Sequence, residues 1–221
     1  MSTYAVDYIE AIEHLPDGAM LRVEGVSWNE YERLVGELQG TWPGVRVTYN
    51  HGRLEIMSPT YEHEDYKGFI SSLARIVSEE MGVTLQAAGA TTYKQELLLQ
   101  GSEPDESFYV QNADAIIGKL RIDLSIDPPP DIVVEGDITN ESLSKFPIYS
   151  AFGVPEIWRY DGKQALIYHL VDQSYAASDV SLSFPLLTAQ AMTDFLEQSK
   201  TQGQSAALAA FRKWFRASLE A

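Results

Sequence analysis

Hydrophobic positions recur along this chain in two periods, and the switches between them mark its elements. Val45, Val47 and Tyr49, then Leu54 and Ile56, alternate with polar residues on either side of Asn50-His51-Gly52, which predicts a hairpin with glycine at its turn. Before it, residues 4–14 suit a short helix ended by Pro16-Asp17-Gly18, and Met20 to Val26 reads as a strand. Tyr31, Leu34, Val35 and Leu38 fall at helical spacing, and Ser27 with Glu30 has the form of a capping box, so a helix is expected over 28–38. Ser58-Pro59-Thr60 breaks the hairpin strand; Ile70, Leu73, Ile76 and Val77 then define a helix over about 62–81 that Gly82 stops.

Further strands are expected at 83–87, 92–99, 106–110 and 131–138, followed by a helix over about 143–151 with Pro147 in its first turn. Glu156 to Tyr160, Ala165 to Leu170 and Ser174 to Ala177 suggest an antiparallel meander, with Asp161-Gly162 as a turn. Helices fit 188–199 and 204–219. The second sets Leu208, Phe211, Phe215 and Leu219 on one side, with Arg212, Lys213 and Arg216 near the other. The class is α/β or α+β, with strands gathered centrally.

Composition narrows the chemistry. A chain of 221 residues fits one domain with terminal elaboration. It has no cysteine, which removes disulfides and thiolate metal sites and suits a reducing cytosol. The first residues lack the basic start and apolar core of a signal peptide, and no stretch reaches the roughly 18 apolar residues of a membrane span. A soluble cytoplasmic protein, without a membrane partner, is the expectation. The net charge of −16 opposes non-specific affinity for nucleic acid, which comes mainly from cationic side chains releasing counterions. Binding DNA would need metal ions or a local patch, for which Lys67, Arg75 and Lys94, or Arg212, Lys213 and Arg216, would have to be gathered by folding.

Against that background the carboxylates stand out. Alternation along the strand puts Asp131, Val133, Glu135 and Asp137 on one face. Acids so crowded need a cation or solvent. Mg²⁺ takes oxygen ligands, commonly one or two protein carboxylates, and Asp105, after the stiff Pro104, could supply the second from a neighbouring strand. The competing reading is plain: Asp131 ends the Pro128-Pro129-Pro130 loop and Asp137 caps the next turn. His63 could meet a water on a metal, but a lone histidine among Glu62, Glu64 and Asp65 is more often a capping or salt-bridged group. Glu55 better suits a cross-strand ion pair than a metal, and Trp158, Tyr160, Tyr168 and Phe184 suit core.

Five ordered blocks resemble the PD-(D/E)XK nuclease superfamily, in its bacterial branch of restriction-endonuclease domains (domain of unknown function 820). They are Gly52 to Pro59 with His63; Glu103-Pro104-Asp105; Asp131 to Glu135; Lys145-Phe146-Pro147-Ile148-Tyr149; and Gly153 to Gly162. The resemblance implies a restriction-endonuclease-like fold, a central mixed sheet flanked by helices, with an N-terminal hairpin and a C-terminal helical extension. Residues 1–44 would pack on the core, 45–190 would form the nuclease domain, and 191–221 the extension. Asp105 and Glu135 would match the two metal-binding acids, holding Mg²⁺ or, in its place, Mn²⁺. The parent pattern carries a lysine two residues after the second acid, where this chain has Asp137; the branch carries it instead on the following helix, in a Lys-x-x-x-Tyr unit matching Lys145 and Tyr149. Gly136 departs from the β-branched residue expected there.

The implied activity is Mg²⁺-dependent hydrolysis of DNA by a homodimer, with Asp105, Glu135, Lys145 and His63 as site residues. Two other readings stay open: a non-catalytic binding or assembly module on the same fold, and a different hydrolase built on paired acids, such as one acting on sugars. The choice between DNA and RNA, and the site recognised, are not written in the sequence.

Overall fold

The computed structural model describes residues 8–38, 44–136 and 145–220. In chain order these form α1 (Tyr8–Glu13), β1 (Met20–Val23), α2 (Trp28–Leu38), β2 (Arg46–Asn50), β3 (Arg53–Met57), α3 (Tyr61–Met81), β4 (Gln86–Ala87), β5 (Tyr93–Gln95), β6 (Gln100–Ser102) and β7 (Glu106–Tyr109). There follow α4 (Ala113–Ile116), β8 (Ile132–Gly136), α5 (Phe146–Phe152), β9 (Glu156–Tyr160), β10 (Ala165–Val171), β11 (Ser174–Ser178), α6 (Ala189–Gln202) and α7 (Gln204–Leu219).

The strands make two sheets. The first runs β1-β3-β2-β6-β5 with antiparallel neighbours throughout. Its central hairpin turns through His51 and Gly52, at φ 49° and 92°, the paired positive values that match strand twist in a two-residue loop. The second sheet runs β11-β10-β9-β8-β7-β4, and its one parallel pair, β8 with β9, has α5 as the crossover. It is the expected mixed sheet flanked by helices; the five-stranded sheet beside it enlarges that picture.

Local signals account for most boundaries. Ser27 and Glu30 cap α2 reciprocally, with the Ser27 N–H donating to Glu30 Oε2 at 2.8 Å and the Glu30 N–H to Ser27 Oγ at 3.3 Å. Gly82, left-handed at φ 65°, ends α3. The expected strand over 92–99 is shorter: β5 ends at Gln95, a turn of 3₁₀ helix spans Glu96–Leu98, and Leu99 at φ 49° breaks the pleat before β6. Residues 4–7, 137–138 and 143–144 of other expected elements lie outside the described residues.

Three apolar clusters fill the layers. One lies between α3, the second sheet, α6 and α7, around Phe69, Leu73, Val134, Trp158, Phe184, Phe211 and Phe215. A second joins α1 and α2 to the first sheet, and a third packs α5 on the far side of the second sheet, around Tyr93, Val133, Ile148 and Tyr149. Alternation along β8 decides which way its acid points: Ile132 and Val134 face α3, while Val133 faces α5, and Glu135 shares the face of Val133. Trp158, Tyr160 and Phe184 are core, as expected, whereas Leu219 is largely exposed. No described helix is long and apolar enough to cross a membrane.

Four of the six cations offered for a DNA patch pair with acids. Arg212 bonds Glu79 and Glu80, Arg216 bonds Glu80, Lys67 bonds Glu64, and Lys94 bonds Glu32. The pairs of Arg212 and Arg216 fasten α7 to the end of α3.

Candidate active site

The chain leaves the first sheet at Ser102 and enters the second at Glu106, so Glu103-Pro104-Asp105 crosses between them. Pairing of β7 with β8 sets Glu106 against Val134, and the Asp105 N–H donates to the Val134 carbonyl at 3.1 Å. Continued by one residue, that register lays Asp105 opposite Glu135 on the same face. Both carboxylates are 2% exposed. Asp105 Oδ2 accepts the Gly136 N–H at 2.7 Å, and its Oδ1 lies 3.6 Å from Arg46 Nε on β2.

Lys145 precedes the first turn of α5, which Pro147 opens in place of a helical N–H. Its Nζ lies 2.9 Å from Oε2 and 3.1 Å from Oε1 of Glu135, and 3.2 Å from the Glu103 carbonyl. One turn on, the Tyr149 hydroxyl donates to Glu135 Oε1 and accepts from Ser102 Oγ at 3.2 Å. A cation at the start of a helix is disfavoured by its dipole; two buried acids outweigh that small term.

Burial pushes the Glu135 carboxyl up to about 7. Lys145 opposes this shift, the charge on Asp105 adds to it, and the Tyr149 hydrogen bond reduces it. Burial also works against the charge on Lys145, yet Glu135 and Asp105 together raise it above the usual lysine value. The pair is therefore short of positive charge at the carboxylates while its ammonium is held firmly charged.

The other sequence candidates divide. His63 is buried at the first turn of α3 and caps it: Nδ1 sits 2.8 Å from Thr60 Oγ1 and accepts the Thr60 N–H at 3.3 Å, while its N–H reaches Thr60 Oγ1 at 3.4 Å. The far edge of its ring looks toward Gly136, where a Cβ would stand 3.6 Å from His63 Cδ2 and 3.5 Å from Asp105 Oδ2. A larger branched side chain would have to share that space with both groups. Asp131 lies at the other end of β8 and accepts from the N–H groups of Val110 and Asn112 and from the Asn112 side chain, so it ties the loop after β7 and stands apart from Glu135. Glu55 bonds Arg22 and Arg53, the expected ion pairing. Asp137 lies outside the described residues.

Sequence reasoning did not single out Arg46, Glu103 or Ser102. Arg46 is buried because β2 is covered on both faces, its four residues from Arg46 to Tyr49 all being enclosed. Alternation within one strand carries no sign of that. Glu103 accepts from the Val47 N–H at 2.9 Å and from Thr92 Oγ1; burial raises its carboxyl, against those hydrogen bonds and Arg46. Register also places Arg159 of β9 beside Glu135.

Among the described residues no group of three or more histidine or acidic side chains converges to cage a metal. The donor set here is two carboxylates, the hard oxygen ligands with which Mg²⁺ is content when waters and substrate complete its shell. A carboxyl held near 7 by burial is also one that a divalent cation would discharge. The residues present fit such an ion.

Comparison with known proteins agrees with this fold. The sequence model of a family described as "Uma2: Putative restriction endonuclease" matches residues 28–199. No protein with a curated description matches the chain. Among solved structures, one from Anabaena variabilis, titled a putative nuclease of the domain-of-unknown-function 820 family, aligns with a TM-score of 0.52 at 16% identity, over 76% of this chain and 98% of its own. That likeness concerns the fold.

Proposed function

The chain belongs to the Uma2 family, and we propose from that premise that it is a metal-dependent endonuclease hydrolysing DNA. The observation that carries the reading is the convergence of Lys145 and Glu135 with Asp105 where the chain crosses between its sheets. Asp105 and Glu135 would hold one or two Mg²⁺, or Mn²⁺, which when bound supplies Lewis acidity to the phosphate and lowers the pKa of water. The remaining work falls to the chain itself. The Gly136 N–H fixes the Asp105 carboxylate, with the Arg46 guanidinium beside it, and Tyr149 with Ser102 fixes Glu135. Lys145, anchored on the Glu103 carbonyl, orients the attacking water and offsets charge building on the phosphate. Water oxygen bonds to phosphorus as one ester oxygen leaves. His63 acts by setting the first turn of α3 against the Gly136 end of β8. Cutting both strands requires two such sites, and the proposed working unit is a cytoplasmic homodimer.

The test is cleavage of supercoiled plasmid with Mg²⁺ by the native protein, Glu135→Ala and Lys145→Ala. Activity lost in both variants supports the assignment; cleavage that neither substitution changes would refute it.

A second reading, a binding or assembly module, is favoured by one feature. Both oxygens of Glu135 and both of Asp105 already face hydrogen-bond donors or cations of the chain. Calorimetric titration separates the two: a module shows no saturable Mg²⁺ or Mn²⁺ binding that Asp105→Ala abolishes.

A further inference from the structure

We propose that Arg46 is a further catalytic residue of this site, its Nε–H donating to a non-bridging oxygen of the phosphate being cut. The inference rests on the nuclease reading above and adds a residue and a role to it. Arg46 is 6% exposed, and three hydrogen bonds hold its guanidinium still. Nη1 donates to the carbonyls of Gly44 at 3.2 Å and Val45 at 3.4 Å, Nη2 donates to Glu64 Oε1 at 3.1 Å, and β2 fixes its backbone between β3 and β6. Nε alone among its nitrogens has no hydrogen-bond partner, although it is buried. It stands 3.6 Å from Asp105 Oδ1, too far for a hydrogen bond, on the side of the proposed metal ligands.

A purely structural tether has no reason to leave a buried donor unsatisfied, since that costs free energy. A donor held in place and aimed at where negative charge gathers is instead what electrostatic catalysis requires. The residue also borders solvent: Arg46 lines an open cleft of about 690 Å³ with Pro59, Thr60, Tyr61, Glu64 and Lys67, and Tyr61 at its edge is 84% exposed, while Nε itself is enclosed on the Asp105 side. The planar fork of arginine suits phosphate, and the restraint by Gly44, Val45 and Glu64 means little reorganisation when charge develops. No proton leaves Arg46; it donates a hydrogen bond throughout.

The test uses Arg46→Gln, Arg46→Lys and, as control, Glu79→Gln at the α3–α7 ion pair, on a duplex with sulfur in place of one non-bridging oxygen at the cut phosphate. In single-turnover cleavage with Mg²⁺, Arg46→Gln is expected to be slowed about 100-fold and Arg46→Lys less, with Glu79→Gln within a few-fold of native. The slowing caused by one sulfur diastereomer should shrink in Arg46→Gln, because the contact it disturbs is already gone. A full sulfur effect in Arg46→Gln, or an unchanged rate, overturns the proposal, whatever happens to melting temperature. If the native protein cuts no DNA, the nuclease reading fails separately, and metal-free titration with inorganic phosphate decides for Arg46. Saturable binding weakened tenfold or more in Arg46→Gln sustains it as a phosphate ligand; equal binding, or none, overturns it.

Discussion

Lys145 straddles Glu135, its Nζ lying 2.9 Å from one carboxylate oxygen and 3.1 Å from the other, so a single ammonium neutralises a buried acid before any metal arrives. Lys145→Met should therefore lose stability as well as cleavage, because Glu135 is left buried without its cation. Breaking such a pair costs about 3–5 kcal/mol. Ca²⁺ should restore part of this, raising the melting temperature of Lys145→Met more than that of the native protein. Equal rises in the two proteins would count against a metal at Asp105 and Glu135.

Stability should fall with pH through the window that Glu135 sets. Its folded value, about 7, exceeds the usual 4.5 of an exposed glutamate, so between those limits the folded state holds the proton more tightly than the unfolded chain. The contribution of this group is thus most favourable below about pH 4.5 and is lost as pH rises to about 7. Denaturant titrations from pH 5 to pH 8 should reveal that decline in the native protein and its absence in Glu135→Gln. Lys145, raised from its own ordinary value, is a constant favourable term across this range and weakens only in strong alkali.

The same proton offers a direct signal of metal uptake. At pH 6.5 a divalent cation binding to Glu135 must displace it. Mg²⁺ titrations in buffers of different ionisation enthalpy should give heats that differ by a fraction of a proton per site. Heats independent of buffer would mean that Glu135 is not the ligand.

Tyr149→Phe should be a mild variant with a diagnostic pH profile. It removes the hydroxyl between Ser102 and Glu135, at a cost of about 1 kcal/mol. That hydroxyl lowers the Glu135 carboxyl, so its loss should move the rise of cleavage with pH to higher values. An unmoved profile would show that the hydroxyl only packs.

Asp131→Ala provides the contrast. Its carboxylate accepts three hydrogen bonds at the opposite end of β8, so the variant should lose on the order of 2–3 kcal/mol in denaturant titrations. Cleavage per folded molecule should be unchanged.

How much of this was legible beforehand depended on whether the signal was local. The bounds of α2 follow from Ser27, Glu30 and four apolar residues, and the hairpin follows from His51-Gly52, because neighbours in sequence decide both. Strand alternation pointed to the acids of β8, and the family resemblance implied that Asp105, Glu135 and Lys145 meet. β6 was hidden: Gln100-Gly101-Ser102 has no apolar side chain, and its glycine is required by a residue far away. A Cβ on Gly101 would stand 2.1 Å from the Tyr31 hydroxyl oxygen. Arg46 was hidden for a related reason, since only the assembled first sheet shows that β2 is covered on both sides. Asp131 carried the opposite lesson. It shares a face with Glu135, yet a strand is long enough for one acid to tie a loop while another faces the site.

The crossing at Glu103-Pro104-Asp105 has a mechanical consequence. Arg46 and Ser102 ride on one sheet and Glu135 on the other, with Asp105 on the crossing between them and Lys145 reaching across to the Glu103 carbonyl. A change in the angle between the sheets would shift the distances among all of these groups together, so the geometry of the site and the packing of the two sheets are a single adjustment.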